Sequence, residues 1–336
     1  MGLAALSILG VTLSATGFEN SASATSDEGP ELQQFQTIYE PSGVQQLPDG
    51  RILVIEDENL APFSILTLDD DGKISARALQ TSSLLRMVMG KSGLLNLGDL
   101  EGIDVDDRGY VYAITSHSRT EEGKRAKTRE RLIRFRLDGN AVTEPQEIKK
   151  LRRAITKKHP ELKDAARIAD VKDDGGFNIE GLSFDRTKQR LLIALRSPVI
   201  DGNAVIVVME NPDTAFEKGV KPKISDELIY LDLAKGGIRA IVFDPMLDGY
   251  LIASHREDKK HRAFKLWFWD GEIGHAPRRV KIAGKTKIPH AEGITPVHIN
   301  GEERLLIVFD DGNMPKRKGG HYLMLNYEHL SIDPKP

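Results

Sequence analysis

Phe177-Asn178-Ile179-Glu180-Gly181-Leu182-Ser183-Phe184-Asp185, followed by Arg190-Leu191-Leu192-Ile193-Ala194-Leu195-Arg196, is the stretch whose reading decides the fold. An alternating strand carries a carboxylate at its start, turns, and returns as an apolar strand that ends on a charge. The same unit recurs. Leu100-Glu101-Gly102-Ile103-Asp104-Val105-Asp106 leads to Tyr110-Val111-Tyr112-Ala113-Ile114 and His117. Ile238-Arg239-Ala240-Ile241-Val242-Phe243-Asp244 leads to Tyr250-Leu251-Ile252-Ala253-Ser254-His255. Ala291-Glu292-Gly293-Ile294 leads to Leu305-Leu306-Ile307-Val308-Phe309-Asp310, and a weaker copy, Ser42-Gly43-Val44, leads to Arg51-Ile52-Leu53-Val54-Ile55 and Glu58.

The register is regular. The first slot holds Ser42, Glu101, Glu180, Arg239 and Glu292. Sixteen residues on stand Glu58, His117, Arg196 and His255, and Asp310 follows in the fifth copy after two extra residues near Asn300-Gly301. Further alternating strands complete each unit to four, separated by turns such as Leu47-Pro48-Asp49-Gly50 and Asp138-Gly139-Asn140. The last unit is one strand short, and a lone strand at 35–39 is one over. Its pairing with 321–327 would close a ring. The expected fold is therefore all-β, a five-bladed β-propeller, with six blades as the alternative if an unmarked blade hides between Arg119 and Asp173. Asp69-Asp70-Asp71-Gly72 reads as a hairpin turn, because no Glu follows at the EF-hand distance.

One segment departs from the repeat. From Arg119 to Lys172 there are seventeen Lys/Arg and nine Asp/Glu, in a chain of 336 residues and net charge −3. Glu144-Pro145 is expected to open a helical insertion over 144–172, with Ile148, Leu151 and Ile155 at helical spacing. Its basic face reads as a solvated surface offset by the acidic remainder. No nucleic-acid partner is expected.

The expected organisation is a signal peptide at 1–24, a linker at 25–34 and one propeller domain at 35–330. The leader rests on the apolar residues 3–16 and the small-residue site Ala22-Ser23-Ala24, although no Lys or Arg precedes them. Export to the periplasm or medium follows, as a monomer without a transmembrane segment. Leu6 excludes a myristoylation motif, and the absence of cysteine excludes disulfides, thiolate metal sites and cysteine nucleophiles.

In a propeller the innermost strands line a central channel, so Glu101, Glu180 and Glu292 should converge there with Arg239 and Ser42. Asp99, Asn178 and His290, two residues earlier, would share that face. His117, Arg196, His255 and Asp310, with Arg119 and Arg256, would form a more basic tier. Like carboxylates repel, so Arg239 or a hard cation must offset them. Three roles stay open for the glutamates: ties between blades, cation ligands, or catalysis. Ser116-His117 and Ser254-His255 do not make a hydrolase pair, because adjacent strand residues face opposite ways and no Gly-x-Ser-x-Gly elbow exists.

Asp99-Leu100-Glu101-Gly102, Ser116-His117-Ser118-Arg119, Asn178-Ile179-Glu180-Gly181-Leu182, Leu195-Arg196-Ser197-Pro198 and Gly237-Ile238-Arg239 resemble an uncharacterised bacterial β-propeller family, a domain of unknown function, over about residues 41–326. The Glu-Gly-Ile/Leu signature is also distantly similar to phytase-like esterase propellers, which implies a calcium-assisted ester hydrolase, although no dense acidic cluster is evident. Together these readings nominate Glu101, Glu180, Glu292, Arg239, Arg196, His117, His255, Asn178 and Arg119 as ligand-binding residues. The same reading nominates Glu101, Glu180, Glu292 and Asp99 as calcium ligands. The ligand is expected to be a small anion or a cation at the channel mouth. The rival readings are a metal-assisted hydrolase, with a carboxylate or His117 as base, and a protein-interaction scaffold.

Overall fold

Each repeat folds as the two inner strands of a blade, and five such blades close into a ring. The computed structural model describes residues 30–57, 62–68, 74–79, 97–169, 171, 174–256, 264–284, 288 and 290–335. The expected leader, Glu58 and the 69–72 turn lie outside them. Strand β1 is Gln33–Gln34. Blade one is β2 (Pro41–Gln46), β3 (Ile52–Glu56), β4 (Phe63–Leu68) and β5 (Ile74–Ala78). Blade two is β6 (Leu100–Val105), β7 (Val111–Thr115), β8 (Leu132–Asp138) and β9 (Ala141–Ile148). Helix α1 (Leu151–Lys158) and short 3-10 turns at Pro160–Leu162 and Ala165–Arg167 follow.

Blade three is β10 (Asn178–Asp185), β11 (Arg190–Ser197), β12 (Ala204–Met209) and β13 (Ile229–Leu231), with α2 (Pro212–Glu217) between the last two. Blade four is β14 (Gly237–Asp244), β15 (Gly249–His255), β16 (Lys265–Trp269) and β17 (Arg278–Ile282). Blade five is β18 (Ala291–Ile299), β19 (Glu302–Phe309) and β20 (His321–Asn326), and β21 (Leu330–Ile332) comes last.

The inner strands β2, β6, β10, β14 and β18 pack on one another in cyclic order, β18 returning to β2. Between blades the apolar side chains form the core: Tyr112, Ile114, Leu182 and Phe184 fill one wedge, and Ile252, Ile241, Ile206 and Trp269 another. Buried polar ties cross the same boundaries. Ser183 Oγ (2.9 Å) and the Phe184 N–H (2.6 Å) donate to Asp104 Oδ2, and Ser42 Oγ donates to the Leu100 carbonyl at 2.5 Å.

Three expectations are corrected. The ring does close on blade five, but through Gln33–Gln34, paired with His321 and Tyr322, rather than through 35–39. Phe35 and Ile38 are three residues apart and both buried, a spacing no flat strand can turn to one side. The chain bends there instead, with the Phe35 ring tilted against that of Tyr322, centroids 4.6 Å apart. Second, Glu144-Pro145 lies inside β9, not at a helix start. The pairing of β8 with β9 skips both residues opposite Phe135, and Glu144 has φ 48°, so the proline occupies a bulge where no ladder N–H is needed. The helix begins at Leu151 and buries Leu151 and Ile155. Third, the chain does not end its strands at blade five: β21 adds to the outer edge of blade four beside β17. The described residues between Arg119 and Asp173 form β8, β9 and α1, and five blades are present among the described residues.

Candidate functional site

The first slot of every repeat is a β-bulge. In blade two, Leu100 pairs with Thr115 and Gly102 with Ile114, so Glu101 is passed over. The ladder likewise skips Ser42, Glu180, Arg239 and Glu292. A bulged residue leaves the pleat and its side chain is re-aimed. Here that brings Glu180, Arg239 and Glu292 from three blades into contact. The following glycine permits the approach: a Cβ on Gly293 would meet the Gly43 Cα and the Val44 N at 3.0 Å, and one on Gly102 would meet the Leu182 N at 3.0 Å.

Arg239 Nη1 lies 3.0 Å from Glu180 Oε1 and 2.8 Å from Oε2, and Nη2 donates to Glu292 Oε1. Arg196 Nη1 donates to Glu180 Oε1 at 2.6 Å, and Asn178 Nδ2 donates to the same oxygen at 2.9 Å. Glu180 thus takes two guanidiniums. Burial pushes Glu292 up to about 8, only partly opposed by Arg239. Asn178 Oδ1 and Arg239 Nε, both buried, have no hydrogen-bond partner among the described residues.

Glu101 stands apart from this network. It is 9 % exposed and makes no hydrogen bond or ion pair among the described residues. Burial raises its pKa well above the ordinary carboxylate range, and the charges of Glu180, Asp57, Asp99 and Glu292 raise it further. Carboxylate oxygens of Asp57, Asp99 and Glu101 lie within 4.8 Å of one another. Asp99, at φ 64°, is held through Oδ2 by Ser118 Oγ at 3.0 Å, Arg129 Nη1 at 3.0 Å and Ser116 Oγ. That fixes the carboxylate while Oδ1 accepts no hydrogen bond among the described residues. Two calcium–oxygen distances of about 2.3–2.6 Å span a comparable separation.

The other nominated residues are divided. Glu180 and Arg196, sixteen residues apart, are paired, whereas Glu101 and His117 at the same spacing form no hydrogen bond among the described residues. His117, at φ 55°, is fully buried, with Nδ1 2.8 Å from the Thr115 carbonyl and no hydrogen-bond partner for Nε2 among the described residues. Burial lowers its pKa to about 4. It is therefore neutral at pH 7 and supplies no positive charge, contrary to expectation. His255 stacks on Phe264 at 4.5 Å. Arg119 bonds the Gly123 carbonyl at 2.9 Å and lines a separate cavity. Ser42 is a tie between blades, and none of the three glutamates accepts a backbone hydrogen bond among the described residues. Their link is made by Arg239 instead. Sequence reasoning missed Asp57 and Arg129. Asp57 adjoins the sixteen-residue position at Glu58; Arg129 was hidden in the basic segment assigned to the insertion.

Residues 136–325 match the family described as Protein of unknown function (DUF3616). The chain belongs to that family. No curated protein matches. Among solved structures, the chain is similar to the PQQ-bound aldose sugar dehydrogenase from Streptomyces coelicolor, at 15% identity and TM-score 0.37, covering 90% of this chain and 98% of that one. It is also similar to a glucose dehydrogenase, at 15% identity and TM-score 0.42, covering 88% and 99%. A third is the major Malassezia sympodialis allergen Mala s 1, at 13% identity and TM-score 0.40, covering 89% and 83%. Likenesses this distant carry no argument about this chain. Among the described residues no helix is long and apolar enough to cross a membrane.

Proposed function

We propose that this DUF3616 propeller binds a hard divalent cation, calcium by its donor set, at the channel mouth on Asp57, Asp99 and Glu101. The observation that carries the reading is Glu101: a buried carboxylate without a hydrogen bond or ion pair among the described residues, beside two more carboxylates. Burying such a charge is costly unless a proton or cation accompanies it. An all-oxygen set suits a hard cation.

The geometry favours a cation over an anion. Arg196 and Arg239 are already committed to Glu180 and Glu292, so little positive charge is left to attract a small anionic ligand directly. An anion would be held through the cation, with Arg239 Nε as a further donor. An ester hydrolase built on this centre would need a carboxylate as base, because His117 is enclosed beside Arg152 and Glu130. Export is proposed on the leader-like residues 3–24 alone.

Isothermal titration of calcium into the chelator-stripped protein tests the reading. One equivalent should bind, and Glu101→Gln or Asp99→Asn should abolish the heat. No heat with wild type, or equal heat with both variants, would overturn it.

A further inference from the structure

Away from the channel, blade two carries a cavity of about 370 Å³ between the segment after β7 and the turns at 151–167. Eight of its eleven lining residues are Lys or Arg, and Glu130 is the acidic one. Glu130 is spent internally: Arg152 Nη2 and Arg125 Nη2 each lie 2.5 Å from one of its oxygens. Arg119 is held by two carbonyls, Gly123 and Ala166, and forms no ion pair among the described residues. Lys150, Arg153 and Lys163 form no ion pair among the described residues.

Helix α1 begins at this wall. Its N-cap, Lys150, makes no side-chain hydrogen bond, and its first turn has no acidic residue. The positive end of the helix therefore adds to the side-chain charge instead of being offset by it. Arg152 registers the field: burial first, then Arg125 and Arg119, hold its pKa below the ordinary guanidinium value against the pull of Glu130. So many like charges around a concave surface repel one another, and a multivalent anion would relieve that repulsion.

We propose that this cavity binds a small polyanion carrying two or more phosphate groups. Arginine forks suit phosphate oxygens, and the flexible lysines adapt to a second group. The volume falls in the range of small-molecule sites, about 300–1,000 Å³. A duplex or a bilayer surface would meet its rim and not its interior. The proposal does not depend on the cation site.

The test is calorimetric titration of the full chain with inorganic tripolyphosphate in buffer containing EDTA, so that calcium plays no part. One-to-one binding that weakens with added salt is expected. The triple variant Lys150→Gln, Arg153→Gln, Lys163→Gln alters only exposed side chains and should bind at least about tenfold more weakly. Its thermal melt should match wild type. The proposal is overturned if wild type takes up no tripolyphosphate or if the triple variant binds as well. Binding of duplex DNA or phosphatidylserine vesicles without tripolyphosphate would also overturn it.

Discussion

Arg239 and Glu180 meet across the boundary between blades four and three: Nη1 lies 2.8 Å from Oε2, with the residues 7 % and 3 % exposed. Both reach that point from bulges, one in each inner strand, and Glu292 joins from a third blade. The ion pair is thus a tie between blades made by side chains alone.

Removing its cation should be severe. Arg239→Ala leaves Glu180 with Arg196 alone and takes from the buried Glu292 the guanidinium bonded to it, and the loss of one partner of a buried pair typically costs about 3–5 kcal/mol. Glu101→Gln, which removes a repelled charge, should be neutral or stabilising without calcium. Urea unfolding in chelator reads both. Equal stability of the two variants would show that the pair contributes little.

The glutamates should also make stability fall toward alkaline pH. Glu101 and Glu292 have folded-state pKa values above the ordinary 4.5, burial being the first cause and Glu292 reaching about 8. A raised pKa means that the folded state binds the proton more tightly. The contribution is complete below about pH 4.5, and that of Glu292 is lost as the pH rises through about 8. His117 acts in the opposite sense, its stability present above pH 6.5 and lost as the pH falls through about 4. Melting temperature in chelator should therefore decline between pH 6.5 and 9. The double variant Glu101→Gln, Glu292→Gln should flatten that limb; an unchanged slope would exclude these groups.

Calcium should reverse the decline, because it competes with the proton for the same oxygens. At a hundredfold excess over the dissociation constant the stabilisation is about 2.7 kcal/mol. The calcium-induced shift in melting temperature should be larger at pH 8 than at pH 5 and absent in Glu101→Gln. A shift of equal size at both pH values would place the ion elsewhere.

Gly293→Ala probes the bulge itself. The added methyl would sit 2.5 Å from Val308 Cγ2 and 3.0 Å from the blade-one backbone at Gly43 and Val44. Backbone cannot rotate away, so overpacking should cost roughly 1–3 kcal/mol. Gly301→Ala, at a surface turn with nothing near its Cβ but φ 82°, tests backbone strain alone. Differential scanning calorimetry separates the two, and Gly293→Ala should also weaken the link between Arg239 and Glu292.

The repeated hairpins, the five blades and the convergence of Glu180, Arg239 and Glu292 were legible in the sequence, because inner strands at one register must face one axis. Period-two alternation and turn residues are local signals, and closure followed from one strand too many and one too few. What only the tertiary structure decided depends on neighbours distant in the chain. Phe35 and Ile38 leave the strand because Tyr322 and the blade-five core receive them, which moves the closing pair to Gln33 and Gln34. His117 loses its charge because burial takes it out of water and Arg152 and Arg131 lie near it, which outweighs the hydrogen bond to the Thr115 carbonyl. Glu101 parts from the other glutamates because it forms no ion pair with a guanidinium among the described residues and has Asp57, at the end of a different blade, beside it instead. Alternation along a strand records which face a residue takes. Which charges meet there depends on how five separate sheets are wedged together, and the register of one chain segment carries no record of that.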